Sequence, residues 1–365
     1  MSISLRFHPL KVVRLRQEAG DAVAITLAVP PASRALFAFQ PGQFLTLRAT
    51  VGGEDIRRSY SICSTPSQLD LQGEIEVGIR VVPEGLFSHW AATSVQVDDM
   101  LSVMPPDGRF VSHCPNAVHR LGFAAGSGIT PILSIMRHSL ETEERSHFSL
   151  VYGNRNMASV MFNETLQDLK DKYPDRVTLL HVLSRQTQEV ELLQGRIDAH
   201  KVRMLLQSLL PAKSLDEVFV CGPEGMIDQT CQTLSQAGVP AHRIHSERFS
   251  SGSAAVTKPP TLANPADQSD PSATVKLTVI LDGKPHKLQM SPDAHILDVA
   301  LSAGLDLPYS CRGGVCCTCR AKVMQGSVSM DKNFTLEKWE TDQGFVLSCQ
   351  AKPTSNQVTL SYDER

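Results

Sequence analysis

The densest chemistry in the sequence lies in its last quarter. Cys311, Cys316 and Cys319 stand as C-x4-C-x2-C, and Cys349 follows 30 positions later. Four thiolates at that spacing match the plant-type ligand set of a [2Fe-2S] cluster. Arg312, Gly313 and Gly314 lie between the first two ligands. They suit a loop that must aim backbone N–H groups at sulfur, because glycine reaches positive φ and carries no Cβ. Cys317 is the spare thiol. Placed in the set instead of Cys316 it would give spacings of x5 and x1, so it reads as a packing residue. A structural zinc site or unliganded core cysteines are the competing explanations. Zinc favours paired C-x2-C knuckles, and only one x2 pair exists here. A [2Fe-2S] cluster carries one electron at a time, which constrains the rest of the chain.

Arginine, aromatic and glycine motifs come earlier. Arg57 to Ile62 contains R-x-Y-S after a Pro41-Gly42-Gln43-Phe44 turn. Alternate residues of a strand share a face, so Arg58 can neutralise a phosphate while Tyr60 offers a ring for stacking. Alone, these types also describe a surface arginine beside a half-buried tyrosine. Gly85-Leu86-Phe87-Ser88 reads as a second phosphate loop opening a helix. Ala125-Gly126-Ser127-Gly128-Ile129-Thr130-Pro131 follows an apolar run and opens another helix. Its glycines let a pyrophosphate approach the backbone, and the helix N-terminus adds partial positive charge. It is not G-x-G-x-x-G, and by itself it could be any tight strand–helix turn. Cys221-Gly222-Pro223-Glu224-Gly225-Met226 has the same strand-to-turn form. Both turns fall at carboxyl ends of expected parallel strands, where open α/β sheets bind ligands.

The elements that must hold these motifs divide along the chain. Its 365 residues exceed one ordinary core and predict two or three domains. Residues 1–112 carry short alternating runs at 22–29, 44–49 and 74–80 between Pro and Gly turns, the pattern of an antiparallel β-barrel. From 113 to 250, strand-like runs at 120–125, 148–152, 177–183 and 217–221 alternate with helical patterns at 157–172 and 201–209. That alternation predicts a parallel-sheet α/β domain. Residues 251–274 are small and proline-rich and read as a flexible linker, with a reach of about 27 Å. Residues 275–365 open with a hairpin signal at Asp282-Gly283, then a helical pattern at 296–303, then the cysteine loop.

Composition narrows the function further. Hydrophobic residues are 42% and charged residues 20%, as in a folded globular chain, and the net charge of -3 argues against nucleic acid as a partner. Met1 to Gln17 lacks the apolar core of a signal peptide. The uncharged stretch from Leu121 to Met136 is broken by three glycines and Pro131, so a membrane span is not expected. Nine cysteines without a small secreted framework fit a reducing compartment, and the protein is expected in the cytoplasm.

R-x-Y-S, G-x-G-x-T-P and C-G-P-x-x-M, in that order, resemble the ferredoxin–NADP reductase superfamily. The C-terminal cysteine set narrows the resemblance to reductase components of oxygenase systems with a plant-type ferredoxin domain of β-grasp form. Tyr152 to Arg155 and Arg312 to Cys316 most resemble the branch that serves phenylacetyl-CoA epoxidases. The resemblance implies FAD, a [2Fe-2S] cluster and a nicotinamide nucleotide as cofactors, and a separate oxygenase, of di-iron type, as electron acceptor. It implies that Arg58 binds flavin pyrophosphate, with Ser59 in the same motif. Tyr60 would pack on the isoalloxazine, and Ser61 would hydrogen-bond near its N5. Gly85, Leu86, Phe87 and Ser88 would hold the FAD phosphates. Gly126, Ser127, Gly128 and Thr130 would hold the nicotinamide nucleotide, with Cys221, Gly222 and Met226 beside its ring. Glu247 and Phe249 match the end of the family's reductase module, near the flavin. Ser61, Cys221 and Glu247 are therefore the candidates for groups facing the reacting rings.

Coenzyme choice turns on the edge of the third nucleotide-domain strand. A 2′-phosphate needs Arg or Lys, whereas a bare ribose favours an acidic residue. Ser184 and Arg185 follow that strand, with no Asp or Glu before Glu189, and Arg155 is a candidate to assist. This favours NADPH over NADH; two solvated surface arginines are the bland alternative. Hydride transfer itself asks the protein only to stack nicotinamide on flavin and exclude water. Acidic and basic residues balance from Val275 to Arg365, ten of each, so the linker's effective concentration replaces charge steering. A reductase for another hydroxylase or a hybrid-cluster protein is the alternative enzyme. A non-enzymatic redox carrier or sensor fits less well, given the intact nucleotide turns.

Overall fold

The computed structural model describes residues 6–114, 117–249 and 274–364. Arg6–Phe249 belongs to one compact unit and residues 274–364 to another. The expected linker lies outside the described residues except for Thr274.

In the first unit, six antiparallel strands come first: β1 His8–Glu18, β2 Ala22–Ala28, β3 Phe44–Val51, β4 Glu54–Ser61, β5 Glu74–Arg80 and β6 Met100–Val103. Their order is β4-β3-β6-β1-β2-β5, and a bridge between Ile62 and Val77 joins the two edges into a barrel. Closure removes the exposed edges of an open sheet. β3 turns into β4 through Gly52 (φ 61°) and Gly53 (φ 85°), a two-residue hairpin that needs positive φ at both centres. Leu10, Ile25, Leu45, Leu47 and Val77 fill the barrel. Two helices interrupt what the sequence pattern makes all-β. α2, Leu86–Thr93, grows from the expected Gly85 turn. α1, Pro66–Gln72, is unexpected: Pro66 starts it, and Gly73 stops it at φ 72°.

Five strands then form an all-parallel sheet: β7 His119–Ala125, β8 His147–Asn154, β9 Val177–Leu183, β10 Glu217–Cys221 and β11 Ile244–Glu247. The order β11-β10-β7-β8-β9 reverses between β7 and β10, and such a switch point opens a crevice at the strands' carboxyl ends. α3 Ile129–Thr142 and α4 Asn163–Lys172 belong to one face's core, α5 Ala199–Ser208 and α6 Glu224–Gln236 to the other's. Barrel residues Ala22, Ala24, Cys63 and Phe110 enter the first of these cores, so barrel and sheet share apolar surface. α4 begins later than the periodicity predicts. Phe162 sits at φ 56° before it, with its N–H held by Glu18 Oε2 of the barrel at 2.7 Å.

The second unit is a mixed sheet of α+β form. β12 Val275–Leu281 and β13 Lys284–Met290 pair about Asp282 and Gly283, both at positive φ. β14 Arg320–Gln325, β16 Phe345–Leu347 and β18 Gln357–Ser361 complete the order β13-β12-β18-β14-β16. β15 Val328–Met330 pairs separately with β17 Ala351–Pro353. α7 Ile296–Ser302 buries Ile296, Leu297 and Ala300, and α8 is Lys338–Asp342. Among the described residues no helix is long and apolar enough to cross a membrane.

Candidate functional site

β4 delivers R-x-Y-S to the end of the barrel nearest the parallel sheet. The Tyr60 ring lies 5.6 Å from Phe87, which meets Trp90 edge-on at 5.2 Å. Burial pushes the Tyr60 hydroxyl well above the usual tyrosine range, so it stays neutral. Arg58 donates through Nη1 to the Arg57 carbonyl at 2.8 Å, and among the described residues no carboxylate takes its remaining donors. Ser59 is occupied within the barrel by Thr46, 3.1 Å away. In the Gly85 turn, Phe87 is core and Leu86 is exposed. Ser88 Oγ donates to the Gly85 carbonyl at 2.9 Å and accepts from Val82 N–H at 3.2 Å. Any phosphate here would meet the open N–H groups of the first turn of α2 more readily than the Ser88 hydroxyl.

Ser61 points out of the barrel and donates to Glu247 Oε2 at 3.2 Å, across 186 positions of chain. Glu247 ends β11, directly opposite Cys221 at the end of β10. Withdrawal from water pushes the Glu247 carboxyl up to about 8, against the pull of Ser61. Burial, and then the neighbouring Glu247, push the Cys221 thiol far up. Cys221 is therefore a neutral, soft surface rather than a nucleophile. The structure thus joins three candidates from two separate sheets. Phe249 lies just beyond them and is 43% exposed, while Arg248 is tied to Glu224 at 3.4 Å and to Asp228 of α6.

The two glycine turns meet at the switch point. A Cβ on Gly128 would lie 2.1 Å from the Cys221 carbonyl oxygen, and one on Gly222 would lie 2.7 Å from Met226 Cε. Gly126 adopts φ 57°, and its carbonyl accepts from the buried Tyr152 hydroxyl at 2.9 Å. Thr130 is buried and donates to the Ser127 carbonyl at 3.0 Å. At the ends of β8 and β9, Ser184 N–H bonds the Asn154 carbonyl at 2.9 Å and Arg185 N–H bonds the Arg155 carbonyl at 2.7 Å. Arg185 is exposed. Arg155 instead reaches the barrel, where Nη2 donates to Asp21 Oδ2 at 2.9 Å.

The four cysteines fit a binuclear centre. Cys311 interacts most strongly with Cys316, and Cys319 with Cys349. Two pairs suit two irons with two thiolates each. Gly313 N–H points at Cys311 Sγ (3.3 Å), Cys311 N–H at Cys316 Sγ (3.4 Å), and Gln350 Nε2 at Cys349 Sγ (3.7 Å). The Cys316 thiol, with the N–H groups of Gly313, Val315 and Cys316, holds Cys311 down to about 6, against burial. Gly314 is at φ 79°, and Arg312 and Cys317 share that left-handed region at 53° and 45°. The buried Cys317 carbonyl accepts Arg320 N–H at 2.9 Å.

Two features have no motif in the sequence. The first is a buried ion network where β7 and β10 begin, with Arg120 opposite Glu217 in register. Arg120 bonds Glu217 Oε2 at 3.1 Å and both Glu143 oxygens at 2.6 and 3.1 Å. Glu217 also accepts from Ser112 Oγ at 2.6 Å and from His113 N–H at 2.9 Å, on the connector from the barrel. A single charge opening each of two apolar runs was the available signal. The second is Asp21, which also pairs with Arg80 Nε at 3.2 Å. Arg80 Nη1 would be 3.1 Å from a Cβ on Gly126. Asp21 sits in an Ala-Gly-Asp turn that reads locally as a solvated corner.

Known proteins share all three modules. The oxidoreductase FAD-binding domain family matches residues 9–112, the oxidoreductase NAD-binding domain family residues 123–232, and the 2Fe-2S iron-sulfur cluster binding domain family residues 279–354. The chain is 43% identical over 363 residues to a 1,2-phenylacetyl-CoA epoxidase component from Escherichia coli K12, covering 98% of both chains. It is 36% identical over 364 residues to the ferredoxin reductase component of 3-ketosteroid-9-alpha-monooxygenase from Mycobacterium tuberculosis, covering 97% of this chain and 96% of the other. Its fold matches phthalate dioxygenase reductase with a TM-score of 0.59 at 21% identity, over 97% of this chain and 98% of that one.

Proposed function

The chain belongs to the ferredoxin–NADP reductase superfamily, among the oxygenase reductases with a C-terminal plant-type [2Fe-2S] domain, and from this we propose that it carries electrons from NADPH to a di-iron oxygenase that epoxidises phenylacetyl-CoA. It is an oxidoreductase that uses FAD, a nicotinamide nucleotide and a [2Fe-2S] cluster, and its relatives are reductase components of oxygenase systems. The choice of acceptor rests on one observation, the 43% identity that runs through 98% of both chains. A cytoplasmic setting, where thiols stay reduced, belongs to the same reading.

A bound flavin would supply the conversion from paired to single electrons, and a cluster held by the four cysteines would supply one-electron relay. The protein's part is placement and exclusion of water. Arg58 and the first turn of α2 are the donors for flavin phosphates, and Tyr60 is the ring face for the isoalloxazine. Burial keeps a proton on the Glu247 carboxyl at neutral pH against the pull of the Ser61 hydroxyl. Gly126, Ser127, Gly128 and Thr130 cradle the nicotinamide nucleotide, with Gly222, Met226 and the uncharged Cys221 sulfur shaping the wall beside its ring. Ser184, Arg185 and Arg155 select the 2′-phosphate. Cys311, Cys316, Cys319 and Cys349 hold the cluster.

Reconstitution tests the acceptor. Holoprotein mixed with the oxygenase components of phenylacetyl-CoA epoxidase should support NADPH-driven epoxidation. The 36% relatives support a second reading, a reductase for a different oxygenase. It would take over if those components stayed idle while a 3-ketosteroid monooxygenase turned over.

A further inference from the structure

We propose that Asp21, on the turn between β1 and β2, is a specificity-determining residue for the coenzyme: it pairs with Arg155 and yields it to the 2′-phosphate. Nucleotide entry is then an exchange of ion pairs. The idea rests on the reading of Ser184, Arg185 and Arg155 as the 2′-phosphate site.

Three observations carry it. First, Arg155 is not idle, since Nη2 donates to Asp21 Oδ2 at 2.9 Å, across 134 positions and from sheet to barrel. Its backbone is locked beside Arg185 by the Arg185 N–H bond to its carbonyl at 2.7 Å. Both arginine side chains therefore start from neighbouring strand ends, while one head is engaged elsewhere. Second, the pair can exchange. The Arg155 side chain is 53% exposed and that of Asp21 34%, and such pairs are weak. A phosphate dianion offers a guanidinium shorter, stronger and often bidentate bonds. Third, Asp21 is not stranded when Arg155 leaves. Its Oδ1 stays in charge contact with the Arg80 guanidinium, 3.2 Å from Nε though without hydrogen-bond geometry, and Arg80 also donates to the Ser159 carbonyl of the nucleotide-binding half. NADH carries no group to displace Asp21, so the exchange opposes NADPH binding selectively.

Calorimetric titration of FAD- and cluster-loaded protein with 2′,5′-ADP and with 5′-ADP tests this. Asp21→Asn and, as a second neutral variant, Asp21→Ser should tighten 2′,5′-ADP about three- to fivefold, the worth of an exposed pair. The change for 5′-ADP should stay under about twofold on the same grounds. The gain should vanish in an Arg155→Ala background. Unchanged or weaker 2′,5′-ADP binding in both variants overturns the proposal, as does a gain that survives without Arg155. Arg185→Ala in the parent tests the underlying coenzyme reading separately: an equal loss for both ligands sinks that reading whatever the Asp21 variants do.

Discussion

Glu247 stands where barrel and sheet meet, its Oε2 3.2 Å from Ser61 and its strand position opposite Cys221. Burial lifts its carboxyl from the ordinary 4.5 to about 8. The folded protein therefore holds a proton between those values that the unfolded chain releases. The stability this contributes is complete below pH 4.5 and is lost as pH rises through 8. Glu247→Gln should flatten the dependence of thermal midpoint on pH between 4.5 and about 8. It should also remove an apparent pKa near 8 from NADPH-driven flavin reduction, slowing it about ten- to hundredfold. Stopped-flow reduction across pH checks both the loss and the vanished inflection. An unaltered inflection would assign that proton elsewhere. The residue itself was legible through its match to the family's module end. Its proton affinity was not, because that arises only when two strands from distant parts of the chain close around it.

Among the elements, the turns after β7 and β10 are the tightest junction. Gly126 is a glycine for its backbone, at φ 57°, whereas Gly128 is one for space, with the Cys221 carbonyl 2.1 Å from any Cβ. Gly128→Ala should force the two turns apart, destabilise the first unit by about 1–3 kcal/mol and weaken nucleotide binding. Denaturant melts and nucleotide titration measure the two effects. The strands of this sheet were readable because buried parallel strands are continuous apolar runs. The glycine motif was equally plain, but the partner that explains Gly128 lies 93 positions on. α4 illustrates the opposite failure. Its periodicity runs from 157, yet a Glu18 carboxylate from the barrel holds Phe162 N–H with that residue at φ 56°, and the helix starts only afterwards.

For the molecule as a whole, two arrangements matter: what ties the barrel to the sheet, and what ends the electron route. Burial alone would raise the Glu217 carboxyl, but His245, Ser112, His113 N–H and Arg120 outweigh it and hold it at about 2. Its stabilisation is present above pH 4.5 and lost as pH falls through 2. Glu217→Gln should cost about 2–4 kcal/mol near neutrality and blunt acid unfolding, as circular dichroism at falling pH would register. At the other end, Cys316→Ser removes one thiolate of a pair. It should abolish cluster absorbance and cytochrome c reduction while sparing ferricyanide reduction; surviving cytochrome c activity would refute the route. The modules were legible because each carries its own local motif. The Asp21, Arg80 and Arg155 cluster was not, since it joins three stretches that carry no shared pattern.

The anchoring of Arg248 has a mechanical consequence. Placed one residue after Glu247 and held by Glu224 and Asp228 of α6, it tethers the end of β11 to that helix, one residue from the carboxyl that accepts the Ser61 hydroxyl.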